Sequence, residues 1–266
     1  MLKLIKLDLI KIFRDKLFIV MAVISLAVAL LNPLIIKGIS FMLSNIEDVG
    51  GTIPVSAREF AFISFGVSGG CTIVVLIFLP IIIYKDYSNG VIRNKIIYGK
   101  SRTEIYLSLL ITMFVVAFIV LFISSMAAFA LSLAMFPYVM AGEVVVADEI
   151  AGFFLSVLFE LFIVFFEISI TTLFIVGLRN VALSIVAPIA GASMLSLVGS
   201  LVSSFAPDTI IEKVVRYLDV YYLAGFIRIG KYATDNLIAL SITPLAFGIL
   251  FSVLGWLLFK NKDIKW

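Results

Sequence analysis

The chain has 266 residues, of which 63% are hydrophobic and 14% charged, with a formal net charge of +3 and a mean hydropathy of +1.22. Soluble domains sit near ~45–50% apolar and ~25% charged, and so few charges cannot cover a water-facing surface at this length. A soluble enzyme, a nucleic-acid binder and a disordered tail are therefore poor readings. The single cysteine, Cys71, leaves no disulfide framework and no cysteine-built metal site, and the absence of histidine removes Ser–His and Cys–His dyads and the usual zinc and haem ligands.

An all-α, polytopic membrane protein is expected, with residues 1–266 forming one transmembrane domain. A bilayer core of ~30 Å takes about 20 apolar residues in a helix. Residues 1–16 come first, where Leu2, Ile5, Leu9, Ile12 and Phe13 recur at helical spacing with Lys3, Lys11 and Arg14 on the other side. That pattern predicts a helix lying on the inner membrane surface. Six spans follow, at 17–36, 60–84, 105–136, 151–178, 183–206 and 237–259. Their runs are continuous rather than alternating, which favours helices over a barrel. Ala27-Val28-Ala29 mimics a signal-peptidase site, but the apolar run continues to Ile36, so a retained first span is expected. The third and fourth runs are long enough to predict tilt, and Pro188 and Pro244 predict kinks in the fifth and sixth.

The distribution of lysine and arginine sets the orientation. With the N-terminus in the cytoplasm, the inner segments hold Lys3, Lys6, Lys11, Arg14 and Lys16, then Lys85, Arg93, Lys95, Lys100 and Arg102, then Arg179, Lys260, Lys262 and Lys265. The outer segments hold only Lys37, Arg58, Lys213, Arg216, Arg228 and Lys231. Both termini are therefore expected in the cytoplasm. The longest outer loop, 207–236, carries Tyr217, Tyr221, Tyr222, Phe226 and Tyr232, a composition suited to helices at the outer interface.

The loop joining the second and third spans, 85–104, has an ordered pattern. A short helix fits Val91 to Tyr98, Gly99 suits its C-terminal stop, and Ser101 with Glu104 has capping-box spacing for the start of the third span. Gly99-Lys100-Ser101 imitates the end of a phosphate-binding P-loop, but Asn94 stands where the first glycine is required and no buried strand precedes it. ATP binding through a P-loop is not expected.

Asp86, the block Gly90-Val91-Ile92-Arg93-Asn94 and the later block Ser101-Arg102-Thr103-Glu104-Ile105-Tyr106-Leu107 resemble the corresponding loop of the integral-membrane permeases of the ABC-2 transporter class. Asp86 replaces the commoner Glu, Val91 replaces Thr, and Gly99 stands where proline is frequent. The six-span plan, the N-terminal interfacial helix, the short basic C-terminal tail and the aromatic outer loop match as well. The resemblance implies that 88–100 forms a coupling helix which, with the N-terminal helix, contacts a separate ATPase subunit. By the same resemblance, Asp86, Gly90, Ile92, Arg93, Asn94, Ser101 and Arg102 are the ATPase-coupling residues. The working unit would hold two ATPases and two permeases, identical or homologous, in a bacterial cell membrane. It would export amphipathic peptides, antibiotics or lipid-like molecules. This chain would bind no cofactor, with ATP and Mg on the partner.

The fourth span contains Glu160 and Glu167, a heptad apart, with Ser156 and Thr171 on the same stripe. Each central carboxylate costs roughly 2.5–3.5 kcal/mol if it faces lipid, so the stripe should face protein or water. It could line a cargo route continuous with Glu143, Asp148 and Glu149 outside, satisfy polar groups within the bundle or a dimer interface, or relay protons. A secondary transporter or channel using these carboxylates is the alternative function, though no inverted repeat is visible. Gly66 with Gly70, and Ala187 with Gly191, have the small-residue spacing that permits close helix packing.

Overall fold

Apolar runs of this length can satisfy their backbone groups internally as helices. The computed structural model is described over residues 1–44, 56–60, 70–138, 149–205, 209–219 and 234–261, and no strand occurs among them. Helix α1 (Leu2–Arg14) stops at Asp15, whose backbone is extended, and α2 (Lys16–Ser44) begins directly after it. A 3-10 turn at Ala57–Phe60 precedes α3 (Cys71–Ser88). The short α4 (Val91–Ile97) leads to α5 (Arg102–Met135). Helix α6 (Glu149–Thr172) runs on through a π-helical turn at Leu173–Gly177, and α7 (Val181–Phe205), α8 (Ile210–Leu218) and α9 (Thr234–Asn261) complete the chain.

Five helices, α2, α3, α5, α6 and α9, are long and apolar enough to cross a membrane among the described residues. The fifth expected span, 183–206, corresponds to α7, of which Val181–Gly191 counts as a shorter apolar helix. Pro188 and Pro244 lie inside α7 and α9 as expected, and Pro33 and Pro80 also lie inside helices. The second expected span, 60–84, needs correction: its helix starts at Cys71 and reaches Ser88. Gly70, at φ +77°, sits in left-handed backbone that cannot continue a right-handed helix. Gly70 caps this helix, where an added Cβ would stand 3.1 Å from Val28 of α2, and 61–69, including Gly66, lie outside the described residues.

Helices α3, α5 and α6 are the most enclosed, whereas α2 and α9 turn most of their surface outward. The tightest seam joins α6 to α9. A Cβ at Gly255 would stand 2.5 Å from the Tyr106 hydroxyl and 3.1 Å from the Leu173 Cα, and one at Gly248 would stand 2.6 Å from Phe165. Between the two glycines, Ser252 donates to the Ser169 hydroxyl at 2.9 Å. These small residues let the two backbones approach closely. Among the described residues Gly191 has nothing within 4 Å of an added Cβ, so its expected close contact is not made there.

The two ends of the bundle are closed differently. At one, the Ala57 amide donates to the Pro137 carbonyl at 2.9 Å, Phe60 stacks on Phe136, and Lys37 donates to the Met135 carbonyl. At the other lie α1, α4 and the start of α5, where Arg102 donates to the Lys260 carbonyl at 2.7 Å and Trp256 to the Thr103 hydroxyl. Helix α8 returns along α7: Arg216 reaches the Ser203 hydroxyl at 3.1 Å, and the Asp219 carboxylate lies 3.7 Å from where a Gly199 Cβ would be. Its Glu212 faces inward while Ile210, Ile211 and Val214 face outward. Tyr221, Tyr222, Phe226 and Tyr232 lie outside the described residues.

Candidate functional site

The expected short helix between α3 and α5 is present, and local chemistry sets both of its limits. Gly90 starts it from left-handed backbone at φ +67°. At its end Gly99 adopts φ +77°, its amide donating to the Ile96 carbonyl at 2.9 Å and the Lys100 amide to the Lys95 carbonyl at 3.1 Å. This Schellman arrangement requires a left-handed residue that only glycine adopts without strain. Two residues on, Ser101 accepts from the Glu104 amide at 3.2 Å while the Glu104 carboxylate accepts from the Ser101 amide at 3.3 Å. This reciprocal capping box starts α5.

Ion pairs bind this loop to α1. Lys95 bonds Asp8 at 2.7 Å, and Asp8 also accepts from Ser108 of α5 at 2.7 Å. Lys11 pairs with Asp86, Lys85 bonds Asp15 at 3.2 Å, and the amino terminus stands 3.8 Å from Glu104. Among the paired groups, from Met1 to Asp15 the charges run plus, minus, plus, minus. From Glu104 back to Lys85 they run minus, plus, minus, plus. The two segments thus form an antiparallel charge zipper. Burial alone would push the Asp15 carboxyl up, but the Leu17 amide, the Lys85 hydrogen bond and the Lys85 and Lys11 charges outweigh it and hold the carboxyl below its ordinary value.

The residues expected to contact a partner divide into two groups. Arg93, Asn94 and Ser101 are exposed, and Gly90 and Arg102 are half-buried. Ile92 and Asp86 are buried, Ile92 in the main core and Asp86 against Lys11. In this arrangement they seat α4 rather than touch another molecule. Ile97, 68% exposed, and Tyr98, 83% exposed, are the large side chains that α4 presents outward. Both fall within 88–100, the segment that the resemblance assigns to partner contact, although neither is among the residues singled out there. Lys11, on the polar side of α1 as expected, is exposed and also pairs with Asp86.

The second expected site lies in α6. Glu160 and Glu167 are buried, as are Ser156 and Thr171. Thr171 donates to the Glu167 backbone carbonyl at 2.9 Å. One oxygen of each carboxylate, Glu160 Oε2 and Glu167 Oε1, has no hydrogen-bond partner among the described residues. The stripe therefore faces the interior of the chain. Glu143 and Asp148, its expected outer continuation, lie outside the described residues. Among the described residues no group of three or more His, Cys, Asp or Glu could hold a metal ion.

No protein-family model matches the chain, and no curated protein matches it.

Proposed function

We propose that this chain is a membrane-spanning permease subunit of an ATP-driven ABC exporter, with ATP hydrolysed on a separate subunit. The observation that carries the reading is α4: a short helix with a fixed start and stop, seated by Ile92, held to α1 by the Lys95–Asp8 ion pair, and offering Ile97 and Tyr98 outward. A loop that served only as a positive topology anchor would need none of this order. In this reading α7 supplies a sixth span, both termini are cytoplasmic, α1 lies at the inner membrane surface, and α8 rests its apolar face in the outer leaflet of a bacterial cell membrane. Two ATPase subunits close on ATP and push α4. The push reaches α5 through the capping box and α2 through Asp15. Two permeases, identical or homologous, rearrange and release an amphipathic peptide, antibiotic or lipid-like molecule outward.

The interior stripe of Glu160, Glu167, Ser156 and Thr171 would meet cationic cargo when the helices around it part. Both oxygens left without partners support this role, and they equally favour a second reading, an ATP-independent carrier that uses the two carboxylates as ion sites. Transport that survives ATP depletion but collapses with the ion gradient would select the second.

The deciding experiment is co-purification of the tagged chain from its native membranes. Ile97→Asp with Tyr98→Ala changes only exposed side chains and should release a P-loop ATPase that the unaltered chain retains, with the same amount of folded permease. Absence of any ATPase from the intact, folded chain would refute the exporter reading.

A further inference from the structure

Helix α1 has two faces. One enters the bundle through Leu4, Asp8 and Ile12. The other half carries Lys3, Lys6 and Arg14 together with Leu2, Ile10 and Phe13, all exposed. Both acidic residues near this helix are withdrawn from that half, Asp8 onto Lys95 and Asp15 onto Lys85. What remains outward is cationic and apolar. The three cations form no ion pair among the described residues, so their charge is available to an external group. The helix is joined through Asp15 to α2, a helix long enough to cross a membrane, and the Phe13 ring meets Phe18 of α2 edge-on at 4.9 Å. This contact packs Phe13 of α1 against the start of α2.

We infer that the outward half of α1 binds the anionic phosphate headgroups of the leaflet at this end of the bundle. Leu2, Ile10 and Phe13 enter the acyl boundary, while Lys3, Lys6 and Arg14 reach the phosphates with their aliphatic stems along the apolar surface. A cation near an anionic leaflet gains about fivefold in binding, so three together gain on the order of a hundredfold. Asp8 of the same helix holds Lys95 of α4 and Lys11 holds Asp86 of α3, so a lipid-bound α1 is linked to both helices by ion pairs. The inference rests on the membrane reading of the chain and not on an ATPase partner.

The test uses the full chain, reconstituted without any ATPase into vesicles of phosphatidylcholine with or without phosphatidylglycerol. An environment-sensitive dye is placed by Leu7→Cys in a Cys71→Ala background. Leu7 is 64% exposed, and it neighbours Lys3, Ile10 and Arg14 along the helix. The expected result is a blue shift that grows with the phosphatidylglycerol fraction and shrinks with salt. K3Q/K6Q/R14Q should lose most of that dependence, whereas K3R/K6R/R14K should keep it. A shift indifferent to phosphatidylglycerol, or one retained in full by the glutamine variant, overturns the inference. So does a dye that ignores lipid charge and responds only when an ATPase co-purified from native membranes is added, because the face then docks protein. Failure to find an ATPase partner leaves the lipid result standing.

Discussion

Asp8 shows what a buried charge does when its partners are in place. Its carboxylate is shared between Lys95 and Ser108, and the Lys95 side chain is only 12% exposed. Asp8→Ala would leave that ammonium without its counter-charge, a loss of about 3–5 kcal/mol for a buried pair. A double change, Asp8→Leu with Lys95→Met, should restore most of the stability because no charge is left stranded. Thermal unfolding in detergent reads both. Asp15 makes a different prediction. Its folded carboxyl is held below the ordinary value, so its contribution is complete above the unfolded value of about 4 and is lost as pH falls through the lowered one. The Leu17 amide, which donates to Asp15 at 2.9 Å, should therefore lose hydrogen-exchange protection below about pH 4. In Asp15→Asn that acid-dependent loss should disappear. None of these pairings was legible in the sequence. Asp8 and Lys95 lie 87 positions apart, and periodicity within a helix carries no information on which distant charge will meet it.

Features whose partners lie within a turn behave otherwise. Gly99 as a stop and the Ser101–Glu104 box were readable because each is settled by residues three to five positions apart. The start of α3 was not, since hydropathy runs smoothly through Gly70 while its positive φ breaks the helix. Of the positions where close helix packing was expected, Gly66 lies outside the described residues and Gly70 meets Val28 of α2, 3.1 Å from an added Cβ, while the tightest seam forms at Gly248, Ser252 and Gly255, which were not singled out. Small-residue spacing indicates where helices can approach, and tertiary structure chooses which pairs do. Gly255→Val should force α9 away from Tyr106 and Leu173 and sharply lower the yield of folded protein. Gly191→Val should fold normally, as nothing stands within 4 Å. If the α7 face meets a second copy, Gly191→Val will instead shift the oligomer toward monomer in size-exclusion chromatography with light scattering.

Across the whole molecule, paired charges gather at one end of the bundle, the end expected to face the cytoplasm. Met1, Lys11, Lys85, Lys95, Arg102 and Lys260 all lie at the α1 end, with Lys37 at the opposite end. Single cysteines introduced at Lys6 and Tyr98 in a Cys71→Ala background should resist a membrane-impermeant maleimide in intact cells and react after permeabilisation. Labelling of either position in intact cells would reverse the topology and remove α4 from the reach of a cytoplasmic ATPase. The helical class and most span positions were legible because a bilayer imposes length and apolarity directly. The interior placement of Glu160 and Glu167 was legible as a cost to be avoided, but their lack of partner atoms on one oxygen each depends on neighbours that no single helix pattern specifies.

The charge zipper also orders events during biosynthesis. The first helix emerges from the ribosome long before its counterpart, since Asp8 is 87 residues from Lys95 and 100 from Ser108. At about 5–20 residues per second, roughly 5–20 s of elongation separate them. Until then the nascent chain must carry Asp8 and Asp15 exposed at the membrane while α2 is already being inserted. The amino-terminal segment therefore completes its docking only after α4 and the start of α5 have been made, closing the structure back onto its own beginning.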